Sequence, residues 1–160
     1  MNLDAAKYRP NVGIMLVNFK NQVFVGQRLD SFTGAWQMPQ GGIDKGEDPK
    51  AAAYRELWEE TGVTKKLVHI EAFTRDWIYY EFPEKLASKL WKGKYLGQKQ
   101  RYYLMRFSGR DDQININTKK PEFSDWMWTD IDKLEDQIVE FKRQVYRQVV
   151  HEFRVYLFKT

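Results

Sequence analysis

The stretch Gly41-Gly42-Ile43-Asp44-Lys45-Gly46-Glu47-Asp48-Pro49-Lys50-Ala51-Ala52-Ala53-Tyr54-Arg55-Glu56-Leu57-Trp58-Glu59-Glu60-Thr61-Gly62-Val63 reads as loop, helix and loop. Glu47 and Asp48 stand where the positive end of a helix favours carboxylates. Pro49 suits a first turn, and Gly62 suits the position just past a helix end. The spacing therefore predicts a helix over residues 48–61. On that helix Glu56 and Glu60 are four apart, and Glu56 and Glu59 three apart, so both pairs share a face. Like charges so placed repel by about 0.2–0.5 kcal/mol per pair in a bare helix. A chain that keeps all three is expected to set a cation before them. Carboxylate oxygens in a chain without cysteine point to a hard ion, Mg²⁺ or Mn²⁺. The plainer reading of the same residues is a solvated acidic helix face.

Working outward, residues 12–19 form an apolar run fit for a buried strand. Residues 22–29 follow a short Lys20-Asn21 turn and suggest the second arm of a hairpin. Residues 31–34 read as a loop, and Pro39-Gln40-Gly41-Gly42 as a turn. Residues 67–82 and 98–107 are rich in β-branched and aromatic side chains and read as strands, with a short one at 126–129. Leu134, Ile138, Phe141, Val145, Val149 and Phe153 recur at steps of three and four, which predicts one long C-terminal helix. Strands with one helix in the middle and one at the end predict a mixed α/β sandwich. A length of 160 residues suits a single domain over 1–160.

Composition narrows the chemistry. The absence of cysteine excludes disulfides, thiolate zinc sites, iron–sulfur clusters and cysteine nucleophiles. His69 and His151 are too far apart in sequence to suggest a histidine-rich metal site and read as structural or exposed. A hydrophobic content of 42% argues against disorder. No apolar run is long enough to span a membrane, and the N-terminus has no leader-like core, so a cytoplasmic location is expected. A monomer is expected as well, although nothing in the sequence fixes the oligomeric state.

The net charge of +4 means little; its distribution says more. Lys85, Lys89, Lys92, Lys94, Lys99 and Arg101 have no acid among them, and Trp91 and Tyr95 are interleaved. A basic surface beside an acidic pocket suits a metal-dependent enzyme acting on a polyphosphate. A solvated loop or short helix accounts equally well for any one of these lysines.

Gly41, Glu47, Arg55, Glu56, Leu57, Glu59, Glu60, Gly62 and Val63 together match the signature of the Nudix hydrolases, G-x5-E-x7-R-E-U-x-E-E-x-G-U with U aliphatic, at every position. A chance match is on the order of 10⁻⁷ per chain at ordinary residue frequencies. The resemblance implies the Nudix α/β/α sandwich, with a mixed central sheet, a catalytic loop-helix-loop and a long C-terminal helix. It implies divalent metal, Mg²⁺ or Mn²⁺, with more than one ion when substrate is bound. It also implies water attack on a phosphoanhydride. Glu56, Glu59 and Glu60 resemble the family's metal ligands, and Glu56 and Glu59 its catalytic carboxylates. Glu47 and Arg55 resemble a bracing pair. Gly41 resembles the glycine that turns the backbone tightly and brings a carbonyl near the metal, and Gly62 completes the motif.

Further matches are Tyr8-Arg9-Pro10-Asn11-Val12-Gly13, Trp36-Gln37-Met38-Pro39-Gln40-Gly41-Gly42-Ile43, Gly97-Gln98-Lys99-Gln100, Pro121-Glu122-Phe123 and Phe141-Lys142-Arg143-Gln144-Val145-Tyr146. These resemble the bacterial RNA pyrophosphohydrolase branch, which includes hydrolases of dinucleoside polyphosphates. By that resemblance Glu122 is a fourth metal ligand or the general base. Arg9, Arg28, Gln98 and Lys142 are substrate contacts, and Phe141 is a base-stacking residue. For Phe141, core packing within the apolar stripe stands beside stacking. The implied substrates are 5′-triphosphorylated RNA and dinucleoside polyphosphates. A hydrolase confined to diadenosine tetra- or pentaphosphate is the nearest alternative. A non-catalytic RNA-binding regulator is a third, opposed by the intact Glu56, Glu59 and Glu60.

Overall fold

The computed structural model describes residues 4–29 and 34–158. Eight strands among these residues form one mixed sheet. They are β1 (Tyr8–Val17), β2 (Val23–Arg28), β3 (Trp36–Gln37), β4 (Gln40–Gly42), β5 (Val68–Phe73), β6 (Ile78–Glu81), β7 (Gly97–Phe107) and β8 (Phe123–Thr129). The helices are α1 (Pro49–Thr61), α2 (Glu84–Ala87), α3 (Leu134–Gln137) and α4 (Arg143–Leu157). Along the sheet the order is β3-β2-β1-β7-β5, with β4 added to β1, β6 to β7 and β8 to β2. The long β1 and β7 run parallel at its centre, and the other pairings are antiparallel.

Both faces of the central strands are covered, so they read as near-continuous apolar runs. On β1, Val12, Ile14 and Leu16 pack with Ala52, Ala53 and Leu57 of α1, while Met15 and Val17 pack with Val145, Tyr146, Val149 and Phe153 of α4. On β7, Tyr103 and Met105 join the α1 side, and Tyr102 and Leu104 the α4 side. Two cores back to back on one sheet make the expected α/β/α sandwich. α1 ends as its sequence implied: Gly62 is left-handed, at φ 72°, and donates its N–H to the Trp58 carbonyl.

Three expectations change, and a fourth is not tested. Gln40, Gly41 and Gly42 are not a turn but strand β4, paired with Gly13, Val12 and Asn11. Residues 67–82 do not form one strand; β5 and β6 both pair with β7 and are separated by the segment around Thr74–Trp77. Of the loop expected at 31–34, residues 31–33 lie outside the described residues. The C-terminal stripe is not one helix. α3 stops at Ile138, which is extended, and Val139, also outside the helical region at ψ 143°, leads into a short 3-10 turn at Glu140–Lys142 that precedes α4. The periodicity survived because both segments cover the same core: Leu134, Ile138, Val145, Val149 and Phe153 are all buried in it. β-Branched Ile138 accepts the extended backbone without strain. The break carries Val139, Phe141 and Lys142 to the wall of a cavity.

Candidate active site

The cavity has a volume of about 830 Å³ and lies between α1 and the break before α4. Burial of Ala52, Ala53 and Leu57 against the sheet leaves Glu56, Glu59 and Glu60 on the side of α1 that reaches the cavity. Glu56 packs directly on β4. A Cβ on Gly41 would lie 1.9 Å from the Glu56 carboxyl carbon, and one on Gly42 would lie 2.3 Å from Nη2 of Arg9. Glycine is needed at 41 because a carboxylate occupies the space a side chain would take. The tight turn implied for Gly41 is therefore replaced by close approach within a strand.

Glu60 is almost wholly buried. Its Oε1 accepts the Gln40 N–H at 3.3 Å, and its Oε2 is buried with no protein partner. Burial first, then the charges of Glu56 and Glu122, push its carboxyl well above the ordinary range. Burial likewise pushes Glu56 up to about 7, against the Arg55 hydrogen bond and with help from Glu59 and Glu122. Carboxylates gathered out of water in this way call for a proton or a cation. Glu59 is more open, with its side chain 46% exposed. An all-oxygen donor set with an orphaned buried oxygen fits a hard divalent ion. Among the described residues, no three acidic or histidine side chains are drawn tightly enough together to enclose one. Arg55 donates to Glu56 at 2.8 Å and to Glu59 at 3.2 Å, which holds both carboxylates along its own edge.

Arg55 also fixes the preceding loop. It donates through Nε and Nη2 to the two oxygens of Glu47, each at 2.9 Å, and through Nη2 to the Gly42 carbonyl at 2.9 Å. The Asp44 N–H donates to Glu47 at 3.0 Å. The Arg55 guanidinium holds the Glu47 carboxyl down at about 2. The bidentate pair thus clamps the 43–48 loop, α1 and β4 together.

The opposite wall is built from distant segments. The parallel register of β1 and β7 pairs Arg9 with Gln98 and Asn11 with Gln100. Gln100 Nε2 donates to Asn11 Oδ1 at 2.7 Å and to Gln40 Oε1 at 2.9 Å. Lys142 Nζ donates to the same Gln40 oxygen at 2.8 Å. Burial, then the charge of Arg28, brings the Lys142 ammonium down to about 7, opposed by Glu60. The Tyr80 hydroxyl donates to Gln98 Oε1. Phe141 stacks on Tyr80 with ring centroids 6.1 Å apart, and the Arg9 guanidinium lies 4.8 Å over Trp91.

The cavity lining includes Gly41, Glu56, Glu59, Glu60 and Glu122 on the acidic side, and Arg9, Arg28, Gln98, Phe141 and Lys142 on the other. Glu122 is exposed on the loop entering β8, and its backbone carbonyl accepts the Leu29 N–H at 3.0 Å. Among the described residues, Glu47, Arg55 and Gly62 stand behind the cavity and do not line it. Phe141 is half-buried and packs against the α4 core while also facing the cavity, so its two readings meet in one place.

Sequence reading missed Asn11, Gln40, Tyr80, Phe82 and Trp91, all of which line the cavity, and Gln100 behind them. A signal was present for some. Arg9 and Asn11, and Gln98 and Gln100, are polar residues at alternate positions at the starts of two strands, on faces that become apolar further along.

Residues 7–149 match the family model described as NUDIX domain. A Roseobacter denitrificans protein named RNA pyrophosphohydrolase is 56% identical over 150 residues, covering 94% of each chain. A Sphingopyxis alaskensis protein of the same name is 52% identical over 150 residues, covering 94% of this chain and 95% of that one. Among solved structures, C. elegans Ap4A hydrolase superposes with a TM-score of 0.66 at 20% identity, over 94% of this chain and 99% of that one. The E. coli dihydroneopterin triphosphate pyrophosphohydrolase also gives 0.66, at 19% identity, over 91% and 98%. At such identities the two structures attest a shared fold.

Proposed function

The chain belongs to the Nudix family and is a Nudix hydrolase, and from that premise we propose that it removes pyrophosphate from the 5′-triphosphate end of RNA and also cleaves dinucleoside polyphosphates. The observation that carries this reading is a single cavity with two unlike walls, one of carboxylates and one of guanidinium, amide and aromatic groups. A phosphoanhydride joined to nucleosides has the matching two-part chemistry. The relatives named RNA pyrophosphohydrolase, similar over nearly the whole of both chains, support RNA as substrate.

Nudix hydrolases generally use divalent metal ions such as Mg²⁺, which when bound neutralise phosphate charge and lower the pKa of water. Glu56, Glu59 and Glu60 would hold such ions, with the Gly41 carbonyl beside Glu56. Glu122 faces these carboxylates from an open loop and is the group free to take the proton of the attacking water; a fourth-ligand role is its alternative. Arg9 offsets the phosphate charge that the glutamates repel. Gln98 and Lys142 supply donors on the same side, with Gln98 oriented by Tyr80 and Lys142 by Gln40.

Arg28 and Phe141 offer a cationic plane and an aromatic ring that stack on a base with little regard to its identity. That indifference favours the second activity, because the far nucleoside of a dinucleoside polyphosphate presents the same π-face as the next nucleotide of an RNA. The test is side-by-side turnover of a 5′-triphosphorylated oligoribonucleotide and diadenosine tetraphosphate with Mg²⁺ or Mn²⁺, with products identified. Release of pyrophosphate and 5′-monophosphorylated RNA is expected, together with cleavage of the dinucleotide. Intact RNA alongside a cleaved dinucleotide would leave the diadenosine-polyphosphate reading, and no turnover of either would leave the RNA-binding one.

A further inference from the structure

The basic stretch at 85–101 is not one surface. Lys99 and Arg101 alternate with Gln98 and Gln100 along β7 and lie against the Trp77 ring, each 5.0 Å from its centroid. They belong to the face of the strand turned away from the cavity. Lys85, Lys89, Lys92 and Lys94 belong to a separate excursion between β6 and β7, made of α2 and a turn at Leu90–Gly93. All four are exposed, and none forms an ion pair among the described residues.

The excursion is anchored at the cavity. Leu86, Leu90 and Trp91 line its wall. The Trp91 ring packs on Phe82 at 5.6 Å and on Tyr95 at 5.9 Å, and carries the Arg9 guanidinium. The Leu96 N–H donates to the Lys7 carbonyl at 2.8 Å, tying the far end to the chain entering β1. Trp91 and Lys92 hold left-handed backbone, at φ 46° and 58°, ahead of Gly93. A non-glycine residue is strained in that region, so the turn is held by its contacts and not by its own preference. The apolar side of the excursion thus seals one edge of the active site, while Lys85, Lys89, Lys92 and Lys94 are exposed on the same excursion, Lys94 with its ammonium 5.2 Å from the Tyr95 ring centroid.

We propose that this excursion is a landing surface for the sugar-phosphate backbone of single-stranded RNA downstream of the nucleotides seated in the cavity. The inference rests on the RNA reading of the site and extends it. An RNA whose first nucleotides occupy the cavity must leave through its mouth, and the excursion that seals one edge carries four flexible cations without acidic partners, which match a run of phosphates. A dinucleoside polyphosphate ends inside the cavity and gains nothing from them. The excursion would therefore favour RNA over the small dinucleotide without altering the chemistry.

The test compares 5′-triphosphorylated RNAs of two and eight nucleotides that share the first two residues, at 50 and 200 mM salt. The enzymes are wild type, the combined Lys85→Gln, Lys89→Gln, Lys92→Gln, Lys94→Gln variant, and Lys99→Gln as a far-face control. Single-strand contacts contribute a salt slope of about 0.7 per neutralised phosphate. With two lysines engaged, the wild-type long-to-short ratio of kcat/KM should fall about sevenfold between the two salts. The combined variant should show a ratio near one at both salts with short-RNA turnover unchanged, and Lys99→Gln should behave as wild type. A wild-type ratio near one, a ratio preserved in the combined variant, or equal losses on both lengths would each overturn the proposal. Intact RNAs alongside hydrolysed diadenosine tetraphosphate would instead overturn the RNA reading, and this proposal with it.

Discussion

The two walls of the cavity are assembled by opposite strategies. The acidic wall comes mainly from one local segment, Gly41 on β4 and Glu56, Glu59 and Glu60 on α1, with Glu122 added from the loop entering β8. Helical periodicity alone puts the glutamates on one side, and a clamp from Arg55 to Glu47 and Gly42 fixes the segment to itself. The facing wall draws on β1, β2, β6, β7 and the break before α4, segments far apart in sequence that only the fold brings together. The difference teaches how labour is divided. A short self-bracing segment can keep reacting groups in register whatever happens elsewhere. A wall made of scattered residues can change one substrate contact without touching the chemistry.

If that division holds, substitutions on the acidic wall should cost most and should not discriminate among substrates. Glu59→Gln keeps the shape and removes a charge from a partly open side chain, so folding should survive. Loss of several kcal/mol of charge stabilisation predicts a fall in kcat of about a thousandfold or more at saturating Mg²⁺. A variant that keeps a third of the wild-type rate would remove Glu59 from the ligand set. Glu122→Ala should cost about a hundredfold if Glu122 is the base. If it is instead a ligand, added Mg²⁺ or Mn²⁺ should restore part of the rate, and an unchanged rate at every metal concentration would make it an ordinary loop glutamate.

On the scattered wall the effect should be smaller and selective. Arg28→Ala should lower kcat/KM about tenfold for RNA and for a dinucleoside polyphosphate, from the lower end of base-stacking energies. A mononucleoside triphosphate has no second base, and its slower hydrolysis should barely change. Parallel losses on all three substrates would place Arg28 on the phosphates instead.

The clamp behind the acidic wall gives the smallest rate effect. Glu47→Gln should slow turnover only severalfold while removing about 1–2 kcal/mol of stability. Its pH dependence has a definite sign. The Glu47 carboxyl is depressed from 4.5 to about 2 in the folded chain. Its contribution is therefore complete above the unfolded value and lost as pH falls through the folded one. The stability gap between wild type and variant should be constant near neutrality and close between about pH 4.5 and 2, as read by urea denaturation. A gap that persists at pH 2 would assign the loss to packing.

What could be read in the sequence follows the same division. α1, its glycine stop and its acidic face were legible because each rests on spacing within one helix. The two apolar faces of β1 and β7 were legible as runs, although which core each residue joined was not. Gln40–Gly42 looked like a turn because two adjacent glycines suit one. Only the fold shows that Gly41 makes room for Glu56 within a strand. The break at Ile138–Val139 left no glycine or proline as a marker, and the apolar rhythm continued across it because both sides cover one core. The Gln100–Asn11–Gln40–Lys142 network and the Trp91 edge depend on strands and loops far apart in sequence, and no local pattern announces such contacts.

The most direct test pairs Glu59→Gln with Phe141→Ala and measures kcat/KM for both variants on three substrates: a 5′-triphosphorylated dinucleotide, diadenosine tetraphosphate and a mononucleoside triphosphate. Phe141 is the harder case because it also packs on the α4 core. The expected result is a uniform fall in Glu59→Gln across all three, and a fall of about tenfold in Phe141→Ala on the two substrates with a second base only. Equal losses on the mononucleotide in Phe141→Ala would make it a packing residue and contradict the separation of chemistry from recognition between the two walls.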